Sequence, residues 1–331
     1  MNTWAETEAV LSLRDTEQSL ESTAVAPEVQ AVWPTGDYAP GDGHYLIFVH
    51  GYSNSYGEAR VSYARMRWWL DELQTSIRVL ELHWPGDSKR KLISKLVYSK
   101  RIGTARRCGE ALGRWIARAH PESSFSILGH SLGCRVVVHA VDELRRRQQI
   151  SRVRSICLMA AAVPVRCILK DKLGARSEEQ SLTWRVLYSR GDGVLRWAFP
   201  AGQSVGALLY RNTRFGNVAV GLNGEPRDVW ELNNADRWEL YDSGDPVESA
   251  GYYGHSWYWP GGYNYPAPLS RISSDPTPHD NIHGRALGNK GESSELLAQL
   301  MDGNVARRIS IRPPPFARGL PERRFGDYFD T

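Results

Sequence analysis

Cysteine is scarce in this sequence, and the spacing of the cysteines argues against a zinc or redox site. Only four of the 331 residues are cysteines, and no two of them form the C-x-x-C pair typical of zinc and redox sites. Cys134 and Cys157 lie among apolar neighbours. We therefore expect buried, reduced thiols that do not bind metal.

Long hydrophobic runs are also missing. No uninterrupted apolar stretch reaches the length of about 20 residues that a membrane-spanning helix needs. Residues 1–42 are polar and acidic, without the apolar core of a secretory signal peptide. These two absences predict a cytoplasmic protein, and secretion by a route without an N-terminal signal is left open as the alternative.

Neither sign of charge is in large excess. The chain carries 41 Lys and Arg against 37 Asp and Glu, which gives a formal net charge of +4. Its aromatic residues do not alternate with basic ones in a strand pattern, so we expect no nucleic-acid partner. Residues 89–107, however, concentrate eight positive charges. We favour a solvated helix face there, and peripheral contact with an anionic membrane surface is the alternative.

The most informative motif that is present is G-x-S-x-G, at residues 129–133 with the sequence GHSLG. An apolar run, residues 125–128, precedes it, and a helix-like segment, residues 135–144, follows it. A strand, a tight turn and a helix in this order present the serine hydroxyl at the tip of the turn. The pattern predicts that Ser131 is a nucleophile, and a turn serine that only caps the helix is the alternative.

A second apolar run, residues 45–49, is typical of a strand buried on both faces of a parallel sheet. It leads directly into His50, Gly51 and Tyr52. An H-G-x loop after an early strand commonly supplies one backbone N–H of an oxyanion hole, and the residue after the nucleophile supplies the other. We therefore expect the N–H groups of Tyr52 and Leu132 to form an oxyanion hole.

Together, the two motifs resemble the α/β-hydrolase superfamily, in its serine esterase and lipase-like branch. The likeness extends in outline over residues 43–285. It implies an α/β-hydrolase fold, with a mostly parallel central sheet and helices on both faces. It also implies acyl-transfer chemistry, but it indicates no particular substrate.

The chain order of this superfamily, nucleophile then acid then histidine, limits the choice of histidine. Of the nine histidines, only His255, His279 and His283 lie beyond the helix that follows the serine. His255 stands between a glycine and several aromatic residues, a setting that resembles the histidine loop of the superfamily. We assign His255 as the catalytic histidine, with His283 as the alternative.

The carboxylate is expected at the end of a later strand. Residues 184–189 are rich in β-forming side chains and lead into Asp192, which two glycines flank. The carboxyl edge of a parallel sheet is where active sites assemble. The position of Asp192 between Ser131 and His255 favours it as the third catalytic residue, and an Asp-Gly turn without chemistry is the alternative.

These assignments predict a serine hydrolase that cleaves a carboxylic ester, lipid-like esters included, through an acyl-enzyme on Ser131. The chemistry needs no metal and no organic cofactor, so we expect neither, and the expected partner is a small-molecule ester. A thioesterase, amidase or peptidase with the same residues is an alternative, as is a non-catalytic binding protein of the same fold. The motifs determine neither the acyl and leaving-group specificity nor the oligomeric state.

We expect three regions along the chain. Residues 1–42 suggest a peripheral or flexible extension. Residues 43–303 are expected to form the α/β-hydrolase domain, with an insertion around residues 196–250. Residues 304–331 are rich in Pro and Arg, which predicts a tail without regular structure.

Overall fold

A central sheet of eight strands organises the described part of the chain. The computed structural model describes residues 7–15, 22–72, 78–87, 94–168, 182–188, 192–205, 218–223, 235–239 and 255. The strands are β1 (Thr7–Arg14), β2 (Val25–Trp33), β3 (Gly43–Val49), β4 (Arg78–His83), β5 (Ser123–His130), β6 (Val153–Met159), β7 (Thr183–Tyr188) and β8 (Ala235–Glu239).

The strand order is β2-β1-β4-β3-β5-β6-β7-β8, and every neighbouring pair except β1 with β2 is parallel. Strands β3 and β5 lie in the middle and pair from Gly43 with Ser123 to Val49 with Gly129. Both are buried along most or all of their length, in agreement with their apolar sequences. The predicted, mostly parallel α/β sheet is confirmed.

Three long helices cover this sheet: α1 (Tyr56–Glu72), α2 (Ser94–Arg118) and α3 (Gly133–Arg146). The connection from β3 through α1 to β4 runs along the sheet in the opposite direction from those through α2 and α3. Because crossovers between parallel strands are right-handed, α1 lies on one face while α2 and α3 lie on the other. Helices therefore cover both faces, as predicted.

Shorter helices follow β7. A π-helical turn, Val194–Ala198, leads into α4 (Phe199–Val205), which packs against α2, and α5 (Val220–Asn223) comes next. The predicted insertion around residues 196–250 therefore begins as helix. Its residues 206–217, 224–234 and 240–250 lie outside the described residues, as does the predicted tail, 304–331. None of the helices in the described part of the chain combines the length and apolar character needed to cross a bilayer.

The N-terminal region differs from the prediction. A peripheral or flexible extension over residues 1–42 is wrong for β1 and β2, which are both strands of the sheet. Strand β1 pairs in parallel with β4, and its residues 9–14 are buried. The apolar run in β1 is short and is interrupted by Ser12, so composition alone does not reveal it. Pairing with β4 buries this run, and that burial stabilises the strand.

Close packing of α2 on α3 depends on two glycines in α2. A methyl group at Gly109 would lie 2.5 Å from the Val136 carbonyl oxygen and 2.6 Å from His139 Cβ. A methyl group at Gly113 would lie 2.7 Å from the Ala140 carbonyl oxygen. The two helices approach this closely only because both positions lack a side chain.

We expect Gly109→Ala to destabilise the protein, although alanine is the better helix former. The added methyl group would overlap backbone atoms of α3, which costs about 1–3 kcal/mol of unfolding free energy. Gly57→Ala in α1 is the matched control, because no atom of the described residues lies within 4 Å of its methyl position. It should be neutral or stabilising by up to about 1 kcal/mol. Urea unfolding of both variants measures the difference, and equal effects would contradict the packing argument.

Candidate active site

The serine of the G-x-S-x-G motif lies at a sharp turn between β5 and α3. Its φ angle is +52°, in the left-handed region that residues other than glycine rarely adopt. The Ser131 N–H donates to the Met159 carbonyl oxygen at 2.9 Å, and the Ser131 carbonyl oxygen accepts from the Ala162 N–H at 3.1 Å. The chain at and after the end of β6 therefore holds this strained residue in place.

The two glycines of the motif allow the turn to close. A methyl group at Gly129 would lie 2.8 Å from Val137 Cγ2, on α3. A methyl group at Gly133 would lie 2.8 Å from the Val49 carbonyl oxygen, at the end of β3. A side chain at either position would push the strand, the helix and the following loop apart.

The structure brings Ser131, Asp192 and His255 together. His255 Nε2 lies 2.8 Å from Ser131 Oγ, and His255 Nδ1 lies 2.7 Å from Asp192 Oδ2. Because an ionised carboxylate only accepts hydrogen bonds, Nδ1 carries the proton and Nε2 accepts from the serine hydroxyl. The alternative histidine, His283, lies outside the described residues.

Asp192 is completely buried, and the backbone that follows it fixes its position. Its Oδ1 atom accepts the N–H groups of Val194 and Leu195, both at 3.0 Å. These bonds stabilise the carboxylate and leave Oδ2 directed at His255. The His255 side chain is 17% exposed, so the imidazole stays within reach of solvent.

His130 contacts His255, the catalytic histidine predicted from the sequence. Because His130 precedes the serine, the chain order of the superfamily excludes it as the catalytic histidine. The His130 Nε2–H donates to the His255 carbonyl oxygen at 2.9 Å, and the two rings are 5.2 Å apart. The second residue of the motif thus anchors the His255 backbone. Only the fold brings these two residues together, so no sequence pattern identifies this role.

Two neighbouring elements hold the loop that follows β3. The Tyr63 hydroxyl of α1 accepts from the His50 N–H, and the Trp84 indole N–H donates to the His50 carbonyl oxygen, both at 2.7 Å. The His50 ring donates from Nδ1 to the Gly51 carbonyl oxygen and accepts the Trp84 N–H at Nε2. This pattern requires a neutral ring. Burial, aided by the charge of Arg14, holds the pKa of His50 well below its usual range.

The expected oxyanion donors are the N–H groups of Tyr52 and Leu132. Tyr52 follows Gly51 and Leu132 follows Ser131, and Gly51 and Ser131 lie close together. A methyl group at Gly51 would lie 3.0 Å from Ser131 Cβ, so the backbone just before Tyr52 passes against the serine. Leu132 is the N-cap of α3, and the first N–H groups of a helix have no partner within it. The loop and the helix start therefore bring both residues next to Ser131.

A buried ion pair supports the same loop from β1. Arg14 has no exposed surface, and it donates to Asp87 Oδ1 at 2.9 Å and to the Asn54 carbonyl oxygen at 3.2 Å. Asn54 Nδ2 donates in turn to the Tyr52 carbonyl oxygen at 3.1 Å. Strand β1 is thereby connected to the loop that carries Tyr52. Sequence reasoning missed Arg14 because it missed the strand on which Arg14 lies.

The predicted basic segment, residues 89–107, falls partly within α2. Arg101 is buried and donates to the Thr23 carbonyl oxygen at 3.1 Å, whereas Lys100 and Arg106 are exposed. Residues 88–93 lie outside the described residues. Membrane contact through this segment stays a prediction.

The cysteines lie in or near the core. No disulfide joins them; Cys108, Cys134 and Cys157 are buried and Cys167 is half-buried. Burial raises the pKa of Cys108 to about 12, so its thiol keeps its proton. Among the residues that the structure describes, no group of three His, Cys, Asp or Glu side chains is arranged to hold a metal ion.

A known protein family matches the part of the chain that carries most of the sheet. The sequence model of a family described as an alpha/beta hydrolase of unknown function, DUF900, matches residues 39–221. The match covers more than half of the chain and includes Ser131 and Asp192, whereas His255 lies beyond it. A comparison with curated proteins found no match to this chain.

We expect Asp87→Asn to lower the free energy of unfolding by about 3–5 kcal/mol. The substitution keeps the side-chain size but leaves the fully buried Arg14 guanidinium without its counter-charge. Replacing both residues, as Arg14→Met with Asp87→Leu, should recover much of the loss because no unpaired charge is then buried. Denaturant unfolding of the three proteins tests this, and a change below about 0.5 kcal/mol in Asp87→Asn would contradict it.

Proposed function

Because the chain belongs to this alpha/beta hydrolase family, we propose that it is a serine hydrolase that cleaves carboxylic esters through an acyl-enzyme on Ser131. The α/β-hydrolase fold expected from the sequence is confirmed by the family match. The observation that carries the proposal is the continuous hydrogen-bonded row from Ser131 Oγ through His255 to Asp192, with separations of 2.8 and 2.7 Å.

In the first step, His255 Nε2 removes the hydroxyl proton of Ser131 while Oγ attacks the carbonyl carbon of the ester. The new Oγ–C bond moves the carbonyl π electrons onto oxygen, and the imidazole becomes positively charged. Asp192 stabilises that charge through Nδ1 and keeps the ring oriented. The N–H groups of Val194 and Leu195 hold the carboxylate still during this change.

The negative oxygen of the tetrahedral intermediate accepts hydrogen bonds from the N–H groups of Tyr52 and Leu132. One donor of this kind is worth about 3–4 kcal/mol of the barrier. The position of Tyr52 depends on the loop that Trp84 and Arg14 hold in place. The loop after β3 therefore matters to the rate as much as the side chains that transfer the proton.

His255 then donates its Nε2 proton to the leaving alcohol, the C–O bond breaks, and the acyl group stays on Ser131 as an ester. A water molecule next gives a proton to Nε2 and attacks the acyl carbon. Ser131 Oγ leaves with the proton from the imidazolium. The cycle releases one alcohol and one carboxylic acid and restores the resting enzyme.

We propose esters as substrates in preference to amides because an ester carbonyl is the more electrophilic. Hydrolysis of a thioester or a peptide would use the same three side chains and the same oxyanion donors. A binding protein without catalysis is the less favoured alternative. The left-handed conformation of Ser131 costs stability, and strain of this kind is typical of functional positions. The hydrogen bond between Ser131 Oγ and His255 also favours catalysis over binding alone.

We expect a fluorophosphonate probe to label the purified protein at Ser131, as located by mass mapping. Ser131→Ala should abolish labelling and lower kcat for p-nitrophenyl esters about 10,000-fold or more, because the attacking oxygen is gone. His255→Ala and Asp192→Asn should lower kcat strongly with little change in KM, because both residues act mainly in the transition state. Ser62→Ala and His139→Ala are the matched controls and should keep the unaltered rates.

Esters of increasing acyl length, with a matched thioester and anilide, then decide the substrate class. A rate that is highest for esters supports the proposal. A higher rate for the thioester or the anilide would instead identify the protein as a thioesterase or an amidase. Labelling that persists in Ser131→Ala would contradict the assigned nucleophile. Ester turnover that His255→Ala leaves intact would contradict the assigned base.

A further inference from the structure

A buried guanidinium lies close to the turn that carries Ser131, and no described residue supplies a counter-ion for it. Arg135, in the first turn of α3, is only 5% exposed, and its Nε donates to the Ala162 carbonyl oxygen at 3.0 Å. Its Nη2 atom is buried and has no hydrogen-bond partner among the residues that the structure describes. No carboxylate in the described part of the chain forms an ion pair with this residue. Burying a charge without a partner is costly, which makes this position unusual.

The backbone connects Arg135 to the nucleophile. Ala162 accepts from Arg135 Nε through its carbonyl oxygen and donates from its N–H to the Ser131 carbonyl oxygen at 3.1 Å. The guanidinium is therefore anchored through one residue to the turn that presents Ser131. A group bound by Arg135 would consequently be held at a fixed position relative to that turn.

A second buried donor is the Tyr98 hydroxyl of α2, which lies within reach of the Arg135 charge. The ring of Tyr98 meets the ring of Tyr52 edge to face, at 5.5 Å and 88°, and it packs over Gly202 of α4. The hydroxyl is buried beside the Gln203 side chain, and it makes no well-formed hydrogen bond to any described residue. Burial raises the pKa of Tyr98 to about 12, with the charge of Arg135 acting in the opposite direction. The phenol therefore keeps its proton and can donate it to a hydrogen bond.

We propose that Arg135 and Tyr98 bind a carboxylate at the far end of the acyl chain, so that the substrates are esters of dicarboxylic acids. This inference rests on the proposed serine hydrolase function. The acyl side is assigned because Tyr98 contacts Tyr52, whose N–H holds the acyl oxygen in the proposed mechanism. A guanidinium matches a carboxylate in charge and geometry, and a protonated phenol adds a second donor.

The test uses pairs of fluorophosphonates with alkyl chains of equal length, ending in either a carboxylate or a methyl group, at several lengths. The rate of Ser131 labelling by each probe gives the preference for the carboxylate. We expect the unaltered protein to prefer the carboxylate probe at one length. Arg135→Met should reduce that preference about 10- to 100-fold, because a hydrogen bond to a charged group is lost.

Three further variants sharpen the comparison. Arg135→Lys, which keeps the charge but not the planar fork, should retain part of the preference. Tyr98→Phe should lose a smaller part, because it removes one donor. Arg146→Met, at the other end of α3 with a side chain that is 62% exposed, should leave the preference unchanged.

Several outcomes would overturn the inference. The inference is wrong if the unaltered protein labels equally fast with the carboxylate and methyl probes. It is also wrong if Arg135→Met keeps the full preference for the carboxylate probe. Another such outcome is an equal loss of rate with both probes together with a lowered melting temperature, which would make Arg135 a structural residue. A preference that appears only when the carboxylate is on the alkoxy substituent of the probe, and not on its alkyl chain, would contradict the acyl assignment. Failure of both probes, at every length, to label folded protein would instead overturn the serine hydrolase function itself, and the inference with it.

Discussion

The candidate site depends on one close approach, between the loop that leaves β3 and the start of α3. A side chain at Gly133 would overlap the His50 carbonyl oxygen, and one at Gly51 would meet His130 and Ser131. The two glycines therefore set how closely the loop and the helix start pack. That distance determines whether two backbone N–H groups can point at the same oxygen beside the serine hydroxyl. The strained conformation of Ser131 persists because the surrounding backbone leaves it no alternative.

Elements far apart in sequence hold the loop after β3 close to the start of α3. Trp84, just after β4, and Tyr63, on α1, fix His50 by hydrogen bonds, and Arg14 of β1 donates to Asn54 in the same loop. Most of these groups are buried, where a hydrogen bond left unmade is expensive. The loop geometry is thus determined by the folding of the whole N-terminal half of the sheet. Activity should follow the integrity of that half as well as the residues that transfer protons.

Features encoded by neighbouring residues are predictable from the sequence. Strand β3 has a continuous apolar run, the apolar run of β5 is broken only by Ser126, the G-x-S-x-G turn carries its own glycines, and Asp192 follows a strand and stands between two glycines. Contacts that join distant segments are not predictable in this way. The role of Arg14 follows from the pairing of β1 with β4, and the bond from His130 to the His255 carbonyl exists only once both loops are in place. Arg135 has an ordinary helical sequence context, and its burial with no counter-ion in the described part of the chain is what distinguishes it.

We propose that the loop after β3 and the start of α3 form an oxyanion site around Ser131. A crystal structure of the protein with a phosphonate on this serine tests it most directly, because the phosphoryl oxygen occupies the place of the developing oxyanion. Our account predicts that this oxygen lies about 3 Å from the N–H nitrogens of both Tyr52 and Leu132, with His255 still bonded to Asp192. A phosphoryl oxygen directed away from both amides, or a phosphonate on another residue, would contradict it.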